Sequence, residues 1–272
     1  MVRPGDSSLS SNQPSLAAIP PSLQVSDITV RYGALVALSN LNWKVVGGEI
    51  LGIIGPNGAG KSSCFAAVTN CVIYTGTVVL DGENVSQRST NQLALLGLRR
   101  TFQQNSFFGD LTVLQNAEAA LVTVHGTPLY EAVLMPWRLD RRTRSSEEAA
   151  KTLLEDFGIG SGYHSKVPSA IPYGVQRLLS IALAYAKGAR VLLVDEPAAG
   201  VGGEDMMHLA ALLLRLKERG VALVVIEHHM DLIMSIADRI VVIDAGKHLA
   251  EGPPAAIKTN TQVIEAYLGR TE

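Results

Sequence analysis

Leu23, Val25, Ile28 and Val30 form a strand-like run, and Leu41 to Val46 forms another that leads into the turn Gly47-Gly48. A third apolar run, Ile50 to Ile54, follows at once. Gly76 to Leu80 reads as a further strand, closed by the hairpin turn Asp81-Gly82. Together these runs predict an antiparallel edge sheet beside a core. Val191 to Val194 and Val221 to Ile226 differ in kind, because they are apolar at every position, as strands buried on both faces of a parallel sheet are. After Gln103 the pattern turns helical. Thr112 with Gln115, and Ser145 with Glu148, have the spacing of a capping box, which predicts helix starts at both places. The second of these helices carries Leu153, Leu154 and Phe157 on its apolar side and stops at Gly158. The basic run Arg138 to Arg144 is read as a solvated loop face. Trp43 and Trp137, and the methionines Met206, Met207, Met230 and Met234, are read as packing residues. Parallel-type strands interleaved with helices define an α/β fold.

Composition narrows this picture. The segment Met1 to Ser22 is rich in Ser and Pro without apolar periodicity, so residues 1–22 are expected to be a disordered tail and residues 23–272 the ordered domain. The tail lacks the charged start and apolar middle of a secretory signal, which points to a cytoplasmic address. Of the 272 residues 47% are hydrophobic, yet no uninterrupted apolar stretch approaches the roughly 20 needed to span a bilayer. A soluble or peripheral protein is expected. A formal net charge of −2 gives no electrostatic case for nucleic acid as a partner. The two cysteines, Cys64 and Cys71, are placed in the helix after Ile54 as small buried hydrophobes, since their spacing fits no zinc pattern. His125, His164 and His208 have no carboxylate or cysteine at metal-ligand spacing and are given no role.

The chemistry enters with GPNGAGKSS, Gly55 to Ser63, which follows an apolar strand and fits the phosphate-loop pattern G-x-x-x-x-G-K-[ST]. Gly55, Pro56, Asn57, Gly58, Ala59 and Gly60 form the turn whose backbone N–H groups face β- and γ-phosphate oxygens, and the helix beginning near Lys61 adds its positive end. Lys61 supplies a mobile charge. Ser62 is the hydroxyl position that ligates Mg²⁺, and Ser63 reaches an inner phosphate. A nucleoside triphosphate is the expected ligand. The strand at Val191 ends in Asp195, Glu196 and Pro197, and carboxylates at the carboxyl end of a parallel strand point into the ligand crevice. Asp195 is placed to hold Mg²⁺ through water, and Glu196 to orient or deprotonate the water that attacks the γ-phosphate. The strand at Val221 ends in Glu227 and His228, which puts His228 at the same crevice.

Taken in this order, the pieces from Leu23 to Gly269 resemble the ATP-binding cassette (ABC) family. The resemblance implies a P-loop NTPase core with an antiparallel β edge sheet and a helical subdomain at about residues 98–187. RTFQ, Arg100 to Gln103, looks like the family's glutamine loop, which makes Gln103 a catalytic and metal-binding position; Tyr32 sits where the family stacks an aromatic ring on adenine. His228 matches the switch histidine. RTFQ, EPAAGV (Glu196 to Val201), IEH (Ile226 to His228) and VIEAYLG (Val263 to Gly269) are similar to the ATPase subunits of branched-chain amino acid importers. That implies ATP and Mg²⁺ as cofactors, a second ABC ATPase chain and membrane permease subunits as partners, and a peripheral place on the cytoplasmic face of the membrane. The permease would contact a groove near Gln103, Phe107, Phe108 and Leu111.

One motif departs from the pattern. Where the family signature reads LSxGQ, this chain has IPYGV, Ile171 to Val175. Gly174 is kept, while Pro172 removes a hydroxyl and an N–H and Val175 removes an amide. Family members dimerise head to tail, each signature closing over the partner's ATP, so an asymmetric dimer is expected, with weak turnover by this chain alone. Two alternative functions are an ATP-binding regulatory or non-transport ABC module whose turnover is weak because of IPYGV, and a soluble ABC protein acting on ribosomes or DNA.

Overall fold

The structure, a computed structural model, describes residues 23–101, 107–121 and 136–268, with residues 136–144 and 268 described by their backbone alone. Among the described residues, ten strands make two sheets. The first is antiparallel, in the order β2 (Leu35–Val45), β1 (Leu23–Tyr32), β4 (Tyr74–Leu80), β5 (Glu83–Asn84). The second runs β10 (Lys247–Gly252), β9 (Arg239–Asp244), β3 (Ile50–Ile54), β8 (Ala222–Ile226), β7 (Val191–Asp195), β6 (Leu98–Arg100). All its pairings are parallel except β9 with β10. Strands β3, β7 and β8 are buried at every position, as their unbroken apolar runs predict.

Alternation along these strands divides the interior into two cores. Ile50, Ile54, Leu192, Val194, Leu223 and Val225 face one way, onto a layer of helices. Their neighbours Leu51, Ile53, Leu193, Val224 and Ile226 face the other way, where the antiparallel sheet and α1 (Lys61–Val68) cover them. Around the sheet lie α2 (Thr90–Leu95), α3 (Val113–Leu121), α4 (Pro136–Asp156), α5 (Tyr173–Tyr185), α6 (Gly203–Glu218), α7 (Met230–Ile236), α8 (Pro254–Lys258) and α9 (Thr261–Leu268). The carboxyl ends of β3, β7 and β8 come together, and each delivers a loop to one edge of the sheet. That edge is where an open α/β sheet binds its ligand.

Local signals held unevenly. Thr112 and Gln115 form a reciprocal capping box before α3: Gln115 N–H donates to Thr112 Oγ1 at 3.2 Å, and Thr112 N–H to Gln115 Oε1 at 2.9 Å. Ser145 and Glu148 do not. They lie inside α4, which begins nine residues earlier and continues through the basic run Arg138 to Arg144, so that run is helix and not loop. A short polar spacing is ambiguous wherever the helix already has a start upstream. Ser89 and Gln92 form a second capping box that the sequence reading passed over. Cys64 is buried in α1, but Cys71 lies three residues beyond the helix end and is exposed. Met206, Met230 and Met234 pack on the core as expected, whereas Met207 is 64% exposed.

Candidate functional site

The loop from Gly55 to Gly60 turns at the end of β3 and opens α1 with no side-chain cap. First-turn amides of a helix have no partner inside it, so this uncapped start directs N–H groups and the positive end of the helix into a cleft. The loop's shape demands glycine at Gly55. Its φ is +157°, and a Cβ there would sit 2.0 Å from the Ile243 carbonyl oxygen. The Lys61 ammonium is folded back on the loop, donating to the carbonyls of Gly55 at 2.7 Å and Pro56 at 3.0 Å. Burial pushes its pKa down, and the nearby carboxylates of Glu196 and Asp195 pull it back up.

A cleft of about 510 Å³ is lined by Asn57, Gly58, Ala59, Gly60, Lys61, Ser62 and Ser63, together with Tyr32 and Glu196. Tyr32 is 48% exposed, an open ring face beside the loop. Val36, Ala37, Ala245 and Gly246 also line it. No single sequence motif marked these four, since they come from β2 and the β9–β10 turn and meet only in the fold.

Asp195 closes β7 and is buried. Arg100 reaches it at 2.7 Å from the end of β6, and Thr101 Oγ1 accepts from the Asp195 N–H at 3.1 Å. Arg100 also lies 5.5 Å from the Phe65 ring centroid. Sequence reading used Arg100 as part of a motif and missed this ion pair, because residues 95 apart in sequence become neighbours only through the β6–β7 pairing. Glu196 has φ +44°, a left-handed conformation that costs a residue with a side chain of order 1–3 kcal/mol. Its N–H still donates to the Ile226 carbonyl at 2.9 Å. His228 Nδ1 lies 3.8 Å from Glu196 Oε2, so β7 and β8 bring the two together as expected.

Glu227 is the residue that the sequence reading mentioned and left without a role. Fully buried, its carboxylate accepts from the N–H groups of Ala198 at 2.7 Å, His228 at 2.8 Å and His229 at 2.9 Å. It therefore ties the loop after Glu196 to the loop carrying His228. Gly174 lies away from the cleft, at the start of α5, packed so closely on α6 that a Cβ would sit 2.3 Å from Asp205 Oδ2. Pro172 is the N-cap residue of α5 with no side-chain bond, and the Gln176 amide donates to the Ile171 carbonyl at 3.1 Å. Gln103 lies outside the described residues.

A mononucleotide cradle followed by an Asp-Glu strand and a histidine strand can grip a triphosphate and place a carboxylate and an imidazole beside its end. The family model of the ABC transporter matches residues 38–199, which span this cradle and the Asp-Glu strand. The chain belongs to the ABC transporter family. It is an ABC ATPase, with the α/β cassette fold that its sequence predicts. A second model, the branched-chain amino acid ATP-binding cassette transporter, matches residues 247–272. The chain is 37% identical to the high-affinity branched-chain amino acid transport ATP-binding protein BraF of Pseudomonas aeruginosa, across 92% of this chain and 98% of that one. It is 35% identical to LivG of Escherichia coli, a protein of the same description, with the same coverage. Identity to the lipopolysaccharide export system ATP-binding protein LptB of Haemophilus influenzae is 29%, across 91% of this chain and 97% of that one. Among solved structures, a nucleotide-free ATP-binding cassette of an ABC transporter superposes with a TM-score of 0.80 at 25% identity, covering 92% of this chain and all of that one. The ADP conformation of the cassette MJ1267 superposes at 0.78 with the same identity, covering 92% of this chain and 99% of that one. No described helix of this ABC ATPase is long and apolar enough to cross a membrane.

Proposed function

We propose that this ABC ATPase is the energising subunit of an importer for branched-chain or related amino acids, seated peripherally on the cytoplasmic face of the membrane against permease subunits. The observation that carries the reading is the match of residues 247–272 to the branched-chain cassette model, because that segment lies beyond the cradle common to all ABC ATPases. Higher identity to BraF than to the export protein LptB supports the import direction.

In this reading Tyr32 stacks on adenine, the amides from Gly55 to Ser63 hold the phosphates, and Lys61 leaves its two carbonyls for the β- and γ-oxygens. Ser62, Gln103 and Asp195 are the residues that would hold Mg²⁺. Oxygen donors of this kind suit that ion: Ser62 lines the cleft and Asp195 ends β7, its Oδ2 paired with Arg100. When bound, the ion neutralises charge on the β- and γ-phosphates. Glu196 accepts a proton as the water oxygen bonds to the γ-phosphorus and the bond to the β-phosphate oxygen breaks. His228, beside Glu196, holds that end of the site in register.

Closure would be head to tail, with Gly174 approaching the partner's γ-phosphate. Here the structure tempers the expected damage from IPYGV. Pro172 precedes the first turn of α5, so the amides of Tyr173, Gly174 and Val175 remain as donors at a helix N-terminus, and only the Pro172 N–H and the two side-chain groups are lost. Asn116 prepares the proposed permease-facing groove. Its buried amide donates to the carbonyls of Phe108, Leu111 and Thr112 and accepts from the Phe108 N–H, which fixes a loop whose Phe108 ring is 65% exposed.

The test is purification of the chain from membranes with its permease, followed by reconstitution in vesicles. ATP-dependent uptake of leucine, isoleucine or valine is the expected result. Export, or ATP turnover with no co-purifying membrane subunit, would overturn it.

A further inference from the structure

Besides the nucleotide cleft, the structure has a separate cavity of about 420 Å³ between α7, α8 and α9. That volume lies inside the roughly 300–1,000 Å³ typical of small-molecule sites. Its walls are Met230 and Met234 from α7, Ile257 from α8, and Val263 and Tyr267 from α9. Ile257 and Val263 are buried, and the thioethers are unbranched and adaptable, so the floor suits a short aliphatic group. Two charged side chains also line it, Asp231 on α7 and Lys258 at the end of α8. Among the described residues neither makes an ion pair. A fatty acid would satisfy Lys258 and be repelled by Asp231, and an aliphatic amine would do the reverse. An aliphatic zwitterion suits both.

From this juxtaposition we propose that the cavity is a regulatory site for a free aliphatic α-amino acid, its ammonium on Asp231, its carboxylate on Lys258 and its side chain against the methionines. The inference rests on the importer reading in one respect, that such an amino acid is the cargo and accumulates on this side of the membrane.

The cavity touches the nucleotide machinery at two points. Met230 begins α7 directly after His229, the N-cap of that helix, whose N–H is held with that of His228 by Glu227. Tyr267, on the opposite wall, lies near the backbone of Gly55, the first residue of the phosphate loop: burial pushes its hydroxyl pKa up, and that backbone pulls it part of the way back. A ligand bridging α7 and α9 therefore restrains both the switch histidine and the loop that grips the phosphates. Its binding is linked to that of ATP, and the linkage is reciprocal.

The experiment is calorimetric titration of the full chain with L-leucine, with and without a non-hydrolysable ATP analogue, beside 4-methylpentanoate and L-leucinamide. Saturable binding of leucine is expected, at least tenfold tighter than either analogue, with a different Kd when the nucleotide site is filled. D231N and K258M should each weaken leucine at least tenfold, and Met234→Trp should fill the cavity and abolish binding, while ATP affinity in the absence of leucine, measured for each variant, confirms an intact cassette. No binding of leucine, isoleucine or valine up to about 10 mM, or binding that 4-methylpentanoate matches, would overturn the proposal. Vesicle uptake of the same amino acids separates the two readings. Transport without binding to the chain overturns only the regulatory site; binding without transport of any aliphatic amino acid overturns only the importer reading.

Discussion

The acidic neighbours Glu196 and Glu227 are tested by different measurements, because one faces the cleft and the other is sealed from it. Glu196→Gln should leave ATP binding intact and slow hydrolysis by about 10²-fold or more, since only proton acceptance is lost. Unchanged steady-state turnover would remove Glu196 as the base. Glu227→Ala leaves the buried Ala198 N–H, and the partly buried N–H groups of His228 and His229, without their carboxylate acceptor, a loss of order 3 kcal/mol. At roughly 2–4 °C per kcal/mol, thermal unfolding should fall by about 6–12 °C. A variant melting with wild type would show that these bonds are replaced by water. Lys61→Ala should weaken ATP binding at least tenfold, about 1.4 kcal/mol, by calorimetry. The cysteines give a check on burial. Desolvation pushes the Cys64 thiol up to about 12, whereas Cys71 is exposed. One thiol should therefore react rapidly with an aromatic disulfide reagent at neutral pH, and the second only after denaturation.

Helix starts are the elements on which this site is built. α1 opens without a side-chain cap and gives its first amides to the cleft, and α5 also opens without one behind Pro172, but outside the cleft lining. If backbone amides carry the signature's contact, Pro172→Ser with Val175→Gln should raise the ATP turnover of the isolated chain only a few-fold. A gain of one to two orders of magnitude would instead assign the contact to the missing hydroxyl and amide, at roughly 1.5–3 kcal/mol for a charge-assisted bond.

Across the whole molecule, the cleft sits at one edge of the sheet, while Gly174 sits on α5, packed against α6 and outside the cleft lining. A single chain thus holds the cradle and the signature apart. With ATP bound and hydrolysis blocked in Glu196→Gln, light scattering should show the mass of two chains, and without ATP the mass of one. A monomer under both conditions would rule out nucleotide-driven closure of this chain with itself and leave a different cassette chain as its partner.

The sequence by itself determined the strands β3, β7 and β8, whose unbroken apolar runs have no other stable home than the middle of a parallel sheet. It also determined the phosphate loop, because there the chemistry is carried by contiguous residues. Thr112 with Gln115 was legible for the same reason, both bonds being local. Ser145 with Glu148 shows the limit: the spacing is present, but α4 passes through it, and which helix start prevails is set by packing across many residues. Strand order decided what no local pattern holds. It pairs Arg100 with Asp195, sets Glu227 under the amide of Ala198, and brings Tyr267 near the backbone of Gly55. Those contacts join residues tens to hundreds of positions apart, and their energy depends on burial that exists only once the two cores have closed.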